Sequence, residues 1–598
     1  LETTGLNPWL NKILLISLGN ESQQFCIDVR NTNKNDIIEL LILLKNKLII
    51  GHNTKFDYKF LYYNYNIRLR NFYCTMLASQ ILYNGLKVKH SLNNLCKNYL
   101  NIQLEKPIRE SFFNKPNWQR ITDKEIEYAK NDVKYLTDIK KEQEKRIRKY
   151  NLEYLVGLEN KVSPVLAEME LKGIDLNQEK WVLFRNENKN KMLQLEYQMD
   201  EELYSISALK EIFRYKRKRK GEIIKQKELF GSVIEKENNN DYINYNSQKQ
   251  VKEIISKIGQ NIQSVSEKHL KAHKNKNLAS KKFITLLLDY RKVSKYVSTY
   301  GAGFLEYINP ITSKIHTQFT QCFTNSGRLS SGDERLENKK MNWYVNFQNI
   351  PKDNNFRNCF VAPKNYQFVS IDLTGQEIML AASISQDFVL LQAINDNLDL
   401  HSLMASQSYT IINAEKTIIN KEKGNDLRTI HKEVLFACLY GAGPQTVGNL
   451  LNIPITVAKL VHRNIFSTLS QLKNTMNSLS ESALKKGYIT SNKITNRRRW
   501  FTKERIKERE WEIEREACNF PIQATGADMI KEAMIEVDNY LIDKDAWLCN
   551  QVHDELCFII RKGINVEPIK QIIEQSANKY LNNIKMKSNC IVDNYWNT

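Results

Sequence analysis

The sequence of 598 residues has no apolar run of about 18 residues, the length a helix needs to cross a bilayer, so we expect no membrane span. Its ten cysteines are scattered, and no two of them form a Cys-x-x-Cys pair. That absence argues against a zinc ribbon or a disulfide scaffold and favours a reducing environment. No signal peptide is visible and the first residue is Leu1, so we expect the chain to be cut from something longer.

Acidic residues are scarce relative to basic ones, since 67 Asp and Glu stand against 88 Lys and Arg and give a net charge of +21. Such an excess predicts a polyanionic partner, nucleic acid first and an anionic membrane surface second. Heavy use of Asn, Lys and Ile indicates an AT-rich genome, so part of the charge reflects that bias. Hydrophobic and charged contents of 42% and 26% are typical of globular proteins, and the length predicts about three to five structural units.

Helix and strand patterns divide the chain into three stretches. Residues 1–152 alternate strands and helices, residues 153–305 are mostly helical, and the remainder is mixed. Strand candidates lie at residues 13–18, 25–29, 368–371 and 556–560. The helical stretch contains a basic run at residues 216–220, which is either a solvated loop or a contact with phosphate groups.

Carboxylates of the first stretch occur in three separate segments. Glu2 opens Glu-Thr-Thr-Gly-Leu, Asp57 ends Asn-Thr-Lys-Phe-Asp, and Tyr128 precedes Asp132 by four positions. If the last segment is a helix, that spacing puts the phenol and the carboxylate on one face. A phosphodiesterase site with two metal ions needs several carboxylates from distant segments, although each acid taken alone is more often a surface charge.

Two acids of the last stretch lie beside strand candidates. Asp372 ends an apolar strand, and Asp554 with Glu555 closes Gln-Val-His-Asp-Glu just before another. Nucleotidyl transfer is an in-line attack by a 3′-hydroxyl on an α-phosphate, in which two metal ions stabilise the attacking and leaving oxygens. If folding brings Asp372 and Asp554 to one sheet edge, they can bridge such ions.

Four side chains between these acids recur at every fourth position: Arg428, Lys432, Phe436 and Tyr440. At this spacing they share one helix face. Arg offers a bidentate fork and Lys a point charge, which together suit a triphosphate, and the two aromatic rings can stack on a sugar and a base. An ordinary amphipathic stripe explains the two aromatic residues alone, but it does not explain the two cations.

These segments resemble the motifs of two known families. The acids of the first stretch resemble the three exonuclease motifs of the DEDDy 3′–5′ proofreading family, and the later segments resemble motifs A, B and C of family A, Klenow-like DNA polymerases. Further blocks match the second family in order: Gly-Arg-Leu-Ser-Ser at 327–331, Gln-Asn-Ile-Pro at 348–351, Asp-Leu-His at 399–401 and Arg-x-x-x-Asn-x-Pro-Ile-Gln at 515–523.

The resemblance covers nearly the whole chain and implies an α/β multidomain fold. A ribonuclease H-like 3′–5′ exonuclease domain would be joined to a right-hand polymerase with thumb, palm and fingers. The implied boundaries are 1–152 for the exonuclease, 153–305 for the thumb, 306–385 and 516–598 for the two parts of the palm, and 386–515 for the fingers.

The resemblance also implies roles for side chains of the polymerase. Asp372 and Asp554 would hold two Mg²⁺ ions, with Glu555 as a supporting catalytic acid. An incoming deoxynucleoside triphosphate would meet Glu377 and Phe436 at its sugar, Tyr440 at the template-base position, and Arg428, Lys432 and His401 at its phosphates. Primer-template DNA would be bound by Arg328, Arg515, Asn519, Gln523 and His553.

In the exonuclease domain, the resemblance makes Glu2, Asp57 and Asp132 ligands of two further Mg²⁺ ions, with Tyr128 orienting the attacking water. One Asp of the family pattern would lie just upstream of Leu1 and is absent from this chain, so one metal site would be incomplete. Motif A also departs from the family, because Gly375 replaces a Gln and Met379 an Arg. Both departures flank the sugar pocket and bear on the accuracy of base and sugar selection. Ala437 stands where the family usually has Gly, which is a smaller change.

Three rival functions can be weighed against template-directed DNA synthesis with proofreading. A pure exonuclease with a nucleic-acid-binding tail needs no second set of metal acids. A single-subunit RNA polymerase is opposed by Glu377 and the exonuclease motifs, and a degenerate clamp-like DNA binder predicts loss of Asp372 or Asp554.

A narrower resemblance, to apicomplexan apicoplast DNA polymerases, is indicated by the composition bias, the unusual motif A, the truncated start and the absence of a 5′-nuclease domain. It predicts a plastid protein that replicates organellar DNA. We expect a monomer with a replicative helicase or primase as further partners and no membrane association.

Overall fold

The computed structural model describes residues 1–104, 108–205, 243–267, 269–270, 278–332, 344–409 and 426–597. Two compact units share the chain: residues 1–176 with 307–598 form the first, and residues 177–306 form the second. No helix in the described ranges is long and apolar enough to cross a membrane. The basic run predicted at residues 216–220 lies outside the described residues.

The N-terminal part of the first unit is an α/β layer structure. Strands β1 to β3 form an antiparallel sheet and β4 pairs with β5 in parallel; their bounds are Glu2–Thr3, Ile13–Gly19, Gln24–Asp28, Ile49–Gly51 and Phe72–Cys74. Helices α1 to α7 span Lys34–Leu44, Thr54–Tyr65, Thr75–Leu82, Leu92–Leu95, Asp123–Lys134, Leu136–Lys149 and Glu153–Lys172. A capping box at Thr122 and Glu125 starts α5, so the start of that helix is fixed by local hydrogen bonds.

Helix α7 lies between the N-terminal and C-terminal parts of the first unit. It packs against α2 on one side and against the long helix Glu510–Leu541 on the other. Most of its residues are buried, including three glutamates, Glu159, Glu168 and Glu170. Compactness therefore places α7 in the first unit, although the sequence analysis grouped residues 153–176 with the thumb.

A four-stranded antiparallel sheet forms the centre of the C-terminal part. Its order is β13-β14-β10-β15, with bounds Ala546–Val552, Glu555–Arg561, Tyr366–Leu373 and Ser588–Asp593. All residues of β14 except Arg561 are buried, because helices cover the sheet. Three shorter two-stranded pairs are also present. They join β6 (Asp175–Leu176) to β9 (Phe360–Val361), β7 (Phe319–Thr320) to β8 (Ser330–Ser331), and β11 (Tyr488–Thr490) to β12 (Arg498–Trp500).

Helices fill the rest of the C-terminal part. We number them α11 to α21: Asn354–Arg357, Gln376–Ser385, Phe388–Asn395, Leu400–Tyr409, Asp426–Leu439, Pro444–Leu451, Ile455–Thr468, Ser470–Lys486, Lys503–Glu508, Glu510–Leu541 and Glu567–Asn578. The central helix, α20, is 32 residues long, and its buried faces are mostly apolar but include Asp528, Lys531 and Glu532. It packs against α7, α12, α18 and α21, so it forms the axis of this part.

The second unit is helical. Its described helices are α8 at Gln178–Ser205, α9 at Gln248–Lys257 and α10 at Leu278–Thr299. Helix α10 lies along α8, and a separate apolar core joins all three. Trp181 stacks on Phe304 with ring centroids 4.2 Å apart, which closes one end of this unit.

The four strands predicted from sequence are all present, as β2, β3, β10 and β14. The apolar run at residues 40–50 divides between the end of α1 and β4. The helical pattern predicted for residues 153–305 also agrees with the described part of that stretch.

Candidate active sites

Asp372 and Asp554 meet at one edge of the central sheet. Strands β10 and β14 pair in a continuous antiparallel register that ends with Asp372 opposite Glu555. Asp554 lies in the turn just before β14, and its carbonyl accepts a hydrogen bond of 3.3 Å from the backbone N–H of Leu373. The turn is tight enough that His553 adopts φ +57°. The structure thus brings together two acids that the sequence separates widely.

The electrostatics of this pair favour a bound cation. Burial, followed by the charge of Asp554, raises the pKa of Asp372 to about 7. Its Oδ1 is buried and has no hydrogen-bond partner. Two carboxylates that repel each other, one with a free buried oxygen, fit Mg²⁺, which takes one or two protein carboxylates and completes its shell with water and phosphate oxygens. Across the described ranges no group of three or more His, Cys, Asp and Glu side chains forms a metal cage.

Glu555 occupies a different position from the other two acids. Its carboxylate accepts hydrogen bonds from Arg357 at 2.8 Å, Ser370 at 2.6 Å and Trp596 at 2.7 Å. Glu555 and Arg357 are both fully buried, so their ion pair is charge-balanced inside the sheet layer. Glu555 therefore anchors the strand beneath the acid pair and does not face a substrate. Its partner Arg357 supports it and belongs to none of the sequence motifs.

The predicted triphosphate stripe lies along α15. Arg428 donates from Nε and Nη2 to Asp399, at 2.5 and 2.9 Å, so its fork is already occupied. Lys432 is exposed and lies one turn further along the helix. The rings of His401 and Phe436 are 6.1 Å apart, and burial lowers the pKa of His401 to about 4, which makes it neutral at pH 7. Of the predicted cations, Lys432 is the one exposed for phosphate contact.

Four predicted residues converge on the start of α12. Glu377 lies in the first turn of that helix and forms an ion pair of 3.0 Å with Arg328. Tyr440 shares a hydrogen bond with Glu377, and Gln523 bonds to Tyr440 in turn. Burial and the bond to Glu377 raise the pKa of Tyr440, so its phenol stays protonated. The sugar-pocket and minor-groove residues implied by the resemblance thus form one connected cluster.

The two departures in motif A have structural explanations. Gly375 adopts φ +64° immediately before α12, a left-handed conformation that a residue with a Cβ adopts only with strain. Met379 is buried and belongs to the main apolar core. Here the sequence differences follow from how the helix starts and packs.

The remaining predicted DNA-binding residues are on or near α20. Arg515 is exposed, and Asn519 has a buried Oδ1 without a hydrogen-bond partner. Near His553, the side chain of Gln348 donates to the carbonyl of Gln551 at 2.6 Å. Gln348 belongs to the Gln-Asn-Ile-Pro block of the sequence. Its side chain bonds to Gln551 and His553 and so stabilises the turn that carries His553.

The exonuclease acids also converge. Glu2 is on β1, Asp57 is in the first turn of α2, and Tyr128 and Asp132 lie on α5. The α-amino group of Leu1 donates to Asp57 at 2.8 Å. Burial lowers the pKa of this ammonium, but Asp57, Glu2 and Asp132 outweigh burial and raise the pKa overall.

The three carboxylates of the exonuclease site therefore lie close to one point, the backbone nitrogen of Leu1. Tyr128 packs near Phe112, with ring centroids 6.3 Å apart. As predicted, Tyr128 and Asp132 lie on one helix.

Comparison with known proteins gives one family match for each of the two parts of the chain. The profile of DNA polymerase family A matches residues 215–598, and a 3′–5′ exonuclease profile matches residues 1–148. DNA polymerase I of Aquifex aeolicus is 25% identical and covers 96% of this chain and 90% of its own length. DNA polymerase I of Borreliella burgdorferi is 27% identical over the whole chain, which spans 61% of that relative.

A third relative, DNA polymerase I of Geobacillus stearothermophilus, is 31% identical over 45% of this chain, and the match spans 30% of the relative's length. Among solved structures, the POL domain of Pol1 from M. smegmatis, in complex with a DNA primer-template and dNTP, has a TM-score of 0.74. It is 21% identical and covers 96% of this chain and 90% of its own, so it shows the fold. The fold class expected from the sequence is confirmed.

Proposed function

The chain belongs to DNA polymerase family A, and on that premise we propose that it copies a DNA template from deoxynucleoside triphosphates, with a 3′–5′ exonuclease module at its N-terminal end. The observation that carries this proposal is the Asp372–Asp554 pair, held at a sheet edge beside the Glu377–Tyr440 cluster. A metal-dependent acid pair next to a pocket for a sugar and a base is what nucleotidyl transfer requires.

In this mechanism Asp372 and Asp554 would hold divalent cations, which would stabilise charge on the attacking and leaving oxygens. The primer 3′-hydroxyl attacks the α-phosphate, and pyrophosphate leaves. Lys432 binds the triphosphate as an exposed point charge, and Arg428 can join it by exchanging Asp399 for phosphate oxygens. Protein side chains supply position and charge, so the accuracy of the site depends on how rigidly they are held.

Sugar and base selection belong to the cluster at α12. Glu377 would lie against C2′ of the incoming sugar, where a ribonucleotide carries its extra hydroxyl, and Phe436 would pack on the deoxyribose. Tyr440, fixed by Glu377 and Gln523, would close the template-base position. Arg328 and His553 would read the minor groove of the primer end, where purine N3 and pyrimidine O2 are common acceptors.

The exonuclease module would act on frayed 3′ ends. Glu2, Asp57 and Asp132 lie close to one point and would hold the metal ions of phosphodiester hydrolysis. Tyr128 would orient the attacking water from the same helix as Asp132.

The cellular compartment and the DNA that this enzyme copies are also part of the proposal. We infer a replicative role on organellar, plastid DNA, supported by the Asn-, Lys- and Ile-rich composition and by the unusual motif A. Imaging the full-length gene product with a plastid marker tests the location. Uniform cytosolic or nuclear signal would overturn this part and leave the enzymatic proposal intact.

Primer extension with deoxy- and ribonucleotides, with and without Mg²⁺, tests the central proposal. We expect Mg²⁺-dependent, template-directed incorporation of deoxynucleotides. Preferred use of ribonucleotides would favour an RNA polymerase, degradation alone would favour a pure exonuclease, and DNA binding without either reaction would favour a clamp-like binder.

A further inference from the structure

Four charged side chains form a closed, buried network between α7 and α20. Arg497 donates to Glu159 at 2.5 Å and to Asp528 at 2.6 and 2.9 Å, and Lys531 donates to Glu159 at 2.5 Å. Each side chain is at most 4% exposed. Two cations balance two carboxylates, so the group is neutral, and none of its members can reach a substrate directly.

This network, which we call the α7–α20 network, contacts the backbone of Gly327 through Lys531 and Arg497. Lys531 donates from Nζ to the carbonyl of Gly327 at 2.6 Å. The guanidinium of Arg497 lies against the Cα of Gly327 so closely that a Cβ there would collide with it. Gly327 adopts φ +78°, which glycine tolerates best, so backbone and side chains fix one conformation of this turn.

The residue that follows is Arg328, whose Nη2 pairs with Glu377 at 3.0 Å. The carbonyl of Arg328 is itself held by the hydroxyl of Thr324 at 2.7 Å. The side chain of Arg328 is long and about 31% exposed, so its direction depends on the backbone from which it projects. A shift of the 327 carbonyl would move the guanidinium away from Glu377 and from the primer end.

We propose that Lys531 and Arg497 are positioning residues, which act through Gly327 to aim Arg328 at the sugar pocket and the primer terminus. The inference rests on the proposed polymerase function. It also gives a reason for Glu159 on α7, because that carboxylate holds both cations in place. Removing a single member would leave an uncompensated buried charge, so a test has to remove one charge of each sign.

The test is the paired substitution Lys531→Met with Glu159→Gln, which leaves the Arg497–Asp528 ion pair. Lys115→Met with Glu125→Gln is the matched control, because it removes another buried Lys–Glu pair, 2.7 Å apart, from the exonuclease part. Single-nucleotide incorporation gives kcat and KM, and thermal melting shows whether each variant folds. We expect kcat of the test pair to fall about ten-fold with KM within about two-fold, and the control to match the parent.

A double-mutant cycle with Arg328→Ala distinguishes a positioning role from a general loss of structure. If the α7–α20 network acts through Arg328, adding the paired substitution to Arg328→Ala costs nothing further, since coupled residues are not additive. Losses that multiply, or a test pair with parental kcat, overturn the inference.

Gly327→Ala is a second route that removes no charged side chain. It strains the same turn, so it should reproduce the loss of the paired variant in a folded protein, and parental kcat in it would also overturn the inference. If the parent itself extends no primer, the proposed function has failed, which is a separate outcome.

Discussion

The two carboxylate sites of this chain are assembled by different means. In the polymerase site, Asp372 lies near the end of β10 and Asp554 lies in the turn just before the neighbouring strand β14. The antiparallel register of the two strands is continuous from Tyr366 to Asp372. In the exonuclease site, Glu2, Asp57 and Asp132 come from a two-residue strand and two separate helices. One site is built into a sheet, and the other depends on how independent elements pack.

The sheet also brings like charges together in the polymerase site. Asp372 has a buried oxygen without a hydrogen-bond partner, and its neighbour Asp554 carries the same charge. The sheet holds the polymerase acids together despite their repulsion, so a cation is needed there for charge balance and chemistry rather than for assembly. The exonuclease acids, by contrast, are brought together by the packing of a short strand against separate helices.

The largest effect should come from the sheet-built site. Asp372→Ala or Asp554→Ala should reduce primer extension to under a few per cent of the parent rate, because the metal ions lose a ligand. Binding of primer-template should change little, since affinity comes mainly from Lys and Arg contacts with phosphates. The exposed Asp396→Asn serves as the control in the same assay. Extension well above that level in either Ala variant would remove both acids from the mechanism.

A smaller and separate effect is expected at the exonuclease site. Asp57→Ala or Glu2→Ala should lower the degradation of single-stranded 3′ ends about ten-fold or more and leave extension within about two-fold, because distant sites behave independently. Exposed Asp36→Asn is the matched control in the same domain. A variant that degrades single-stranded 3′ ends as fast as the parent would remove that acid from the proposed exonuclease mechanism.

How much of this could be predicted from the sequence depends on how local the signal is. The acids Asp372 and Asp554 lie beside apolar strands in short motifs, so their meeting could be anticipated. The contacts that fix Gly327 could not be predicted, because Glu159, Arg497 and Lys531 come from three distant segments with no motif of their own.

The basic triplet at residues 497–499 shows how a sequence pattern can also suggest a DNA contact that the structure does not support. Its charge suggests DNA contact, but Arg497 is buried in the α7–α20 network, Arg498 lies over the rings of Tyr150 and Tyr488, and Arg499 pairs with Glu516. Composition counts such cations as free charge, and only packing shows that they are already engaged. Arg428 is a similar case, because Asp399 takes up its fork.

The sugar pocket offers an effect of intermediate size on selectivity rather than rate. Glu377→Ala should raise ribonucleotide use about ten-fold, because it removes the side chain that would meet a 2′-hydroxyl. Phe436→Tyr should improve use of dideoxynucleotides by a similar factor, since its hydroxyl can stand in for the missing 3′-hydroxyl. Incorporation ratios for deoxy, ribo and dideoxy substrates measure both. Ratios within about two-fold of the parent would instead make Phe436 an ordinary core residue.

The smallest expected effect compares the pH dependence of stability in the two regions. Burial raises the pKa of Glu125, near the exonuclease site, but hydrogen bonds from Lys115, Ser111 and Thr122 outweigh burial and lower the pKa to about 2. The stability it contributes is present above the unfolded pKa, about 4.3, and is lost only as pH falls towards 2. Asp372 has the opposite sign, because its raised pKa means that the folded protein loses stability as pH rises from about 4 through 7.

Between pH 5 and pH 8, therefore, the penalty of Glu125→Gln should stay constant, while Asp372→Asn should become progressively more stabilising. After screening by solvent, the gain for Asp372→Asn should be about 1 kcal/mol at pH 8 and about a third of that at pH 5. Urea unfolding midpoints in EDTA at both pH values measure the two trends, with the parent as reference. Adding Mg²⁺ at pH 8 should stabilise the parent and reduce the advantage of Asp372→Asn, because the cation neutralises the repulsion that the substitution removes. A gain that is the same at pH 5 and pH 8 would mean that Asp372 is ionised throughout this range and that the sheet edge is better solvated than its burial indicates.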